Sequence, residues 1–384
     1  MSDTTVGQSV PGPNERATAS SVFTAQPSQP APIDETSTSA WLRKNFFGSI
    51  GSTLTTIFFV LVILWTVPGF IDWAFVNSVW LAASHEDCRA ASGACWAVIG
   101  EKHRPMLFGL YPYEEHWRMV IALAVYLGAV VVTMYRRFWD PRILIPLWIV
   151  TFLAVGILLW GGVFGLRYVD TTQWGGLPLT MVLFTGTVVM GLPLAVLLAL
   201  GRQSNLPLVK AVCVTFIECL RGVPLITILF VAVNVFPLFL PQGVELNKLL
   251  RIMVGMAIFF ACYQAEVIRG GLQAIPKGQY EAANSLGLTY WHTTSRIILP
   301  QALRICLPGI VNHIIAALKN TSFVIIVGLF DILTATTAVM DDPLWRRFYI
   351  EAYLFVAMVY FVFCFALSKY SQNLEAWLNA GRNR

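Results

Sequence analysis

The chain has 384 residues, 57% hydrophobic and 12% charged, with a formal net charge of +5. So apolar a composition excludes a water-soluble enzyme or a nucleic-acid-binding module as the whole protein. The slight basic excess follows from membrane sidedness and is no nucleic-acid signal.

Residues 1–45 read as a disordered inner tail, because their first forty are rich in Ser, Thr, Pro and Gln and have almost no aromatics. The first apolar run starts too late for a secretory signal and lacks a small-residue cleavage site, so it reads as an uncleaved anchor held by Arg43 and Lys44. Residues 46–170 predict three accessory spans, at 54–71, 119–134 and 143–161, with a long outer loop over 72–118. Residues 175–373 predict five more, at 177–200, 223–240, 252–267, 308–330 and 350–368. The last stretch, 374–384, reads as a second inner tail. Blocks of this length cross a bilayer core as helices, and a backbone in hydrocarbon must satisfy its own polar groups. The fold class is therefore all-α, with about eight transmembrane helices.

Placing the N-terminus inside puts most basic residues on the inner side, among them Arg43, Lys44, Arg136, Arg137, Arg142, Arg202, Arg269, Lys277, Arg296 and Arg304. An even number of spans returns the C-terminus to that side. Cys88 and Cys95 share the outer loop, where they form either a small disulfide or two packed thiols. The remaining five cysteines are scattered in or beside spans and read as packing. Five scattered histidines suggest no metal site.

Residues 281–300 read EAANSLGLTYWHTTSRIILP. Ile275-Pro276-Lys277-Gly278 makes a turn into a short exposed helix, which Gly287 ends or bends. Ala282, Ala283 and Gly287 leave its backbone accessible, and Glu281 near the N-terminus suits the dipole there. The stretch fits E-A-A, three residues, Gly, nine residues, I-x-L-P at every fixed position: Glu281, Ala282, Ala283, Gly287, Ile297, Leu299 and Pro300. It resembles the coupling loop (about 275–305) of the membrane subunits of ATP-binding-cassette importers. Arg221-Gly222-Val223-Pro224-Leu225, Tyr263 to Gly271, Lys319-Asn320-Thr321-Ser322 and Gly175-Gly176-Leu177 are similar to segments of permeases for polar amino acids. Val223 and Asn320 replace that branch's commoner Thr and Asp. The three leading spans and the outer loop resemble the long permeases of general L-amino acid importers of Gram-negative bacteria.

The resemblance implies a type I importer permease core in a bacterial inner membrane. It also implies two copies of an ATPase subunit, a second related permease forming a heterodimer, and a periplasmic amino-acid-binding protein. The substrate would be an amino acid, of broad polar L-amino acid range. ATP and Mg would be used by the ATPase, with no cofactor in this chain.

Lys319 lies near the middle of an apolar run, where a bare charge costs at least about 2.5–3.5 kcal/mol. Asn312, Lys319 and Ser322 fall on one helix face, with His313 and Asn320 on a neighbouring one. Two readings stay open. The strip from Asn312 through Lys319, Asn320, Thr321 and Ser322 holds a substrate carboxylate, or Lys319 pairs structurally within the bundle. Glu266 with Arg269, and Glu218 with Arg221, stand three residues apart and read as structural ion pairs. Pro224 marks a break between a helix on the inner surface and the crossing one. Thr185, Gly186, Thr187 and Gly191 suit close helix packing.

The sequence has no G-x-x-x-x-G-K-[ST], H-E-x-x-H or G-x-S-x-G, so energy from a separate polypeptide is expected and the chain is not read as an enzyme. The alternatives are an ion-driven secondary amino acid transporter and a membrane-embedded enzyme. The first calls for internal repeats and a coupling carboxylate deep in a span. The second calls for a nucleophile or metal constellation. Neither set is evident.

Overall fold

The structure, a computed structural model, describes residues 37–82 and 84–380. The expectations for residues 1–36 and for the last four residues lie outside the described residues. The described chain falls into two compact units, one ending at Phe70 and the other beginning at Ile71.

The first unit contains helix α1 (Thr38–Phe46) and most of α2 (Ile50–Ile71). Thr56 Oγ1 donates to Phe46 O at 2.9 Å and ties the two. A tail expected to run to residue 45 is thus corrected: its last part is helical, with Arg43 and Lys44 in the final turn where the dipole favours cations.

In the second unit the expected outer loop is itself helical, with α3 (His85–Ala90) and α4 (Ala97–Phe108). Two crossing helices follow, α5 (His116–Met134) and α6 (Pro141–Trp160). Then come α7 (Gly176–Arg202), α8 (Pro207–Arg221), α9 (Leu225–Phe230) and α10 (Lys248–Gln273). Three short helices, α11 (Lys277–Ser285), α12 (Tyr290–Thr293) and α13 (Leu299–Ile305), lead into α14 (Leu307–Asn320). A two-residue strand β1 (Phe330–Asp331), α15 (Ile332–Met340) and the long α16 (Tyr349–Ala380) complete it. Because α16 runs on to Ala380, the tail expected from residue 374 is helical over most of its length.

Among the described residues, seven helices are long and apolar enough to cross a membrane, or eight counting the broken pair as one span. That pair is α8 with the segment Leu225–Phe239, bent by 104°. Pro224 stands at the bend in an extended conformation, where its ring cannot continue the preceding helix.

The core lies between α7 and α10, which run side by side. A Cβ at Gly191 would meet Ala257 O at 2.8 Å, so the glycine lets the two backbones close together. Tyr126 of α5 bonds Thr185 of α7 at 2.7 Å, which docks the accessory pair α5–α6 onto the same core.

At the N-terminal end of α7, α4 crosses that helix backbone to backbone. Gly175 and Gly176 bridge in parallel to Phe330 and Asp331. Gly176 has φ +63°, and a Cβ there would strike Leu107 O, so only glycine fits. Asp331 is fully buried and caps α15 by accepting from Thr334 N at 2.9 Å.

The α3–α4 cap is fastened to α16 as well. Cys88 and Cys95 are joined in a disulfide, with Cα atoms 5.5 Å apart. The Cys95 N–H donates to the buried Glu351 carboxylate at 2.9 Å. Lys102 pairs with Asp342 at 3.1 Å. The Leu344 N–H and then this ammonium hold the Asp342 carboxyl below its usual range.

Arg118 is fully buried at the start of α5 and reaches the end of α6. Its Nε donates to Leu158 O at 2.6 Å and its Nη1 to Arg167 O at 2.8 Å, so a cation satisfies carbonyls that the helix end leaves open. Tyr111 donates to Leu159 O at 3.0 Å beside it. Burial pushes that phenol up to about 12, against the opposing charge of Arg118, so it stays a donor. Replacing Arg118 with Met strands those carbonyls at about 1–3 kcal/mol each. The expected outcome is a melting temperature several degrees lower for the purified protein, whereas Arg104→Met, at a half-buried guanidinium stacked on Tyr113, lowers it far less.

Candidate coupling site and solute path

Helix α11 leaves the end of α10 through Ile275 and Pro276, with the buried Ile275 anchoring the turn. Ala283 faces inward at 1% exposure, whereas Glu281, Ala282 and Gly287 are exposed. The helix ends in a Schellman turn: Leu288 N bonds Ala283 O at 3.2 Å and Gly287 N bonds Asn284 O at 2.9 Å. Gly287 sits at φ +67°, the left-handed position that stops the helix. Thr289 Oγ1 bonds His292 Nδ1 at 2.9 Å and opens α12.

The surface this makes is unusual in what it leaves in the open. Leu286 is 77% exposed, Trp291 67% and Tyr290 61%. Of the I-x-L-P end, Ile297 and Leu299 are half-buried, Ile298 is buried and Pro300 is exposed. Gln301 reaches back to Gln279 at 3.2 Å and fixes α13 to α11. The fixed positions of the sequence pattern therefore divide into those that seat the loop and those that display it.

Behind α11, charged side chains from three helices meet. Arg202 at the end of α7 pairs with Glu218 of α8 at 2.7 Å and with Glu266 of α10 at 3.2 Å. Arg269 pairs with Glu266 at 3.0 Å, and Arg221 stands 3.8 Å from both carboxylates. The sequence pairing of Glu266 with Arg269 is reproduced. That of Glu218 with Arg221 is present too, at 3.8 Å, with Arg202 as an additional and nearer partner that the sequence reading did not name. Spacing along one helix does not reveal a partner on another. Tyr263 donates to Arg221 O at 3.1 Å and secures the bend.

Further along α10 and α14 is a cavity of about 290 Å³, walled by Leu225, Met256, Phe259 and Phe260 with Thr187, Tyr263, His313 and Asn320 as its polar groups. The Thr187 hydroxyl has no partner among the described residues. Of the strip expected along α14, only Asn320 lines this cavity. Asn312 and Lys319 are exposed on another face. Thr321 is buried and bonds Leu318 O at 2.7 Å. Ser322 bonds Tyr360 at 2.9 Å, and Tyr360 in turn donates to Asp331 at 3.2 Å. The helix changes to a tighter 3-10 coil over Thr321–Val327, which turns the later residues away from the face that α-helical spacing gives them. Thr187 and Tyr263 carry a signal in the sequence, as polar side chains inside spans, but only packing joins them to His313.

Loss of Arg202 removes the nearest cation of Glu218 and one of the two closest to Glu266, leaving Arg221 at 3.8 Å as their shared partner. Arg202→Gln should lower the melting temperature clearly, and Arg202→Gln with Glu266→Gln should lose less than the sum of the two single changes. Thermal unfolding of the four proteins of this cycle measures the coupling.

A family model described as "Binding-protein-dependent transport system inner membrane component" matches residues 191–379. The chain is 43% identical to the inner membrane amino-acid ABC transporter permease protein YhdY of Escherichia coli (strain K12), over 94% of this chain and 98% of that one. It is 37% identical to the glutamate/glutamine/aspartate/asparagine transport system permease protein BztC of Rhodobacter capsulatus, over 90% and 95% of the two. A crystal structure of an amino acid ABC transporter with histidines is 31% identical and aligns with 52% of this chain and 91% of that chain, at a TM-score of 0.46. By its extended likeness to these relatives, the chain belongs to the amino-acid ABC transporter permeases, a family of multi-pass inner membrane proteins.

Proposed function

We infer that this chain is the permease subunit of an ATP-driven importer that carries polar L-amino acids of broad range from the periplasm to the cytoplasm. Its termini and α11 face the cytoplasm, and a separate ATPase subunit, in two copies, pushes on α11. The observation that carries this reading is the α11–α12 surface, whose exposed leucine and aromatics stand on a short helix seated by Ala283 and Ile275. Apolar side chains displayed this way on a polar loop suit burial by another protein. Basic residues gather at the same end, in accord with a cytoplasmic location. A periplasmic binding protein would deliver substrate at the opposite, disulfide-bearing end.

A paired permease is supported by the outward faces of the spans. Exposed side chains along the crossing parts of α5, α6 and α7 are apolar, such as Ile121, Leu153 and Val189, as lipid requires. On α14 and the segment after Pro224, exposed positions include Asn312, Lys319, Thr227 and Asn234 instead. A charge and carboxamides at that depth face water or protein rather than hydrocarbon. A second, related permease across this face would close a path between them, with the cavity at Thr187, Tyr263, His313 and Asn320 opening onto it. Relatives named for glutamate, glutamine, aspartate and asparagine support polar amino acids as the class.

Uptake of labelled amino acid in vesicles tests the coupling. With the ATPase, the partner permease and ATP present, uptake should be robust; with this chain and its partner permease alone it should be absent, and uptake there would reject the reading. Gly287→Trp should abolish uptake and ATPase co-purification while leaving the protein in the membrane. Ala282→Trp, at an exposed helical position that tolerates the backbone, should do the same. Normal uptake and co-purification in both variants overturns the docking role. Asn320→Leu should cut uptake about tenfold, the effect of losing one polar contact of roughly 1.4 kcal/mol, without disturbing assembly.

A further inference from the structure

Beside the ion-pair cluster is an open groove of about 510 Å³ that neither the solute path nor the exposed aromatics of α12 use. Its polar lining consists of Arg202, Lys210, Arg269, Gln203, Gln273 and Tyr280. No carboxylate is among the lining residues, although Glu218 and Glu266 pair with Arg202 and Arg269 next to it. Lys210 is exposed and enters no ion pair among the described residues. Arg202, Arg221 and Arg269 against those two carboxylates leave one excess positive charge, to which Lys210 adds a second at the groove, beside three neutral hydrogen-bonding groups.

The neighbourhood indicates what kind of anion fits. Helix α8 forms one side of the groove through Lys210 and Val214. Elsewhere it leaves Leu208 (77%), Val212 (60%) and Phe216 in the open. A helix with cations directed to one side and bare aliphatic side chains on another lies along the boundary between headgroups and acyl chains. A soluble protein with an acidic surface would complement the cations but leave those side chains in water. An anionic lipid satisfies both, with its phosphodiester in the groove and its chains along α8.

We propose that this groove binds the headgroup of an anionic phospholipid from the inner leaflet. Tyr280 belongs to α11, so a lipid held here touches the coupling helix from behind. The proposal rests on the inward placement of α11 given above.

The test uses the complete transporter, with its partner permease and ATPase subunits, in nanodiscs containing a photoactivatable phosphatidylglycerol or phosphatidylcholine at equal mole fraction. Phosphatidylglycerol should label the peptides around Lys210 and Tyr280 about fivefold more than phosphatidylcholine. Lys210→Glu should reduce that labelling to the phosphatidylcholine level, and Lys210→Arg should retain it. Equal labelling by the two lipids, or wild-type selectivity in Lys210→Glu, overturns the proposal. So does exclusive crosslinking of Lys210→Cys to the ATPase subunit, which would assign the groove to protein. ATPase co-purification is scored in the same preparations. Its absence from the wild type counts against the coupling reading, whereas the lipid site is decided by labelling selectivity.

Discussion

Charges at the end of a membrane-spanning helix must find partners without leaving the protein, and Arg202 is where this chain meets that demand. Its guanidinium lies between Glu218 and Glu266, and so ties α7 to α8 and α10 at one point. Partly buried pairs of this kind add little net stability compared with apolar packing, but they strongly penalise arrangements that separate them. The joint lies beside the 104° turn at Pro224 and the end of α10 from which α11 leaves. The cluster is braced by Tyr263, which donates to Arg221 O.

The opposite end of the molecule solves the same problem with backbone groups. Arg118, Glu351 and Asp331 are all buried, and each meets main-chain donors or carbonyls. Arg118 closes the end of α6, Glu351 holds the disulfide loop and Asp331 starts α15. Charge-assisted bonds to the backbone are stronger than neutral ones and demand closer alignment. They make the α3–α4 cap part of the core rather than an appended loop. The Gly109–Gly175 crossing removes the side chains that would otherwise keep α4 off α7.

Between these two fixed ends, the spans sort by what they leave uncovered. Apolar exposed faces need nothing beyond lipid. The exposed Asn312 and Lys319 of α14, and the exposed Leu286, Tyr290 and Trp291 of the coupling segment, are incompatible with their surroundings in an isolated chain: the first pair in hydrocarbon, the others in water. Both incompatibilities are what the proposed assembly would relieve.

The sequence by itself determined the all-helical membrane class, the positions of the spans, the short helix ending at Gly287 and the family. These depend on local quantities: the length of an apolar run, the left-handed residue that a helix end requires, and residues at fixed spacing. Only the tertiary structure decided that Arg202 is the nearer partner of Glu218, since the two stand sixteen positions apart on different helices and no periodicity links them. It also decided that Ser322 serves the Tyr360–Asp331 network, because a switch to 3-10 geometry rotates the face that α-helical spacing predicts. The helices of the outer loop were hidden for a related reason. Short helices such as α3 and α4 have weak local signals and persist through contacts with α15, α16 and the turn between them, which lie more than two hundred residues away in the chain and become visible only when the chain is folded.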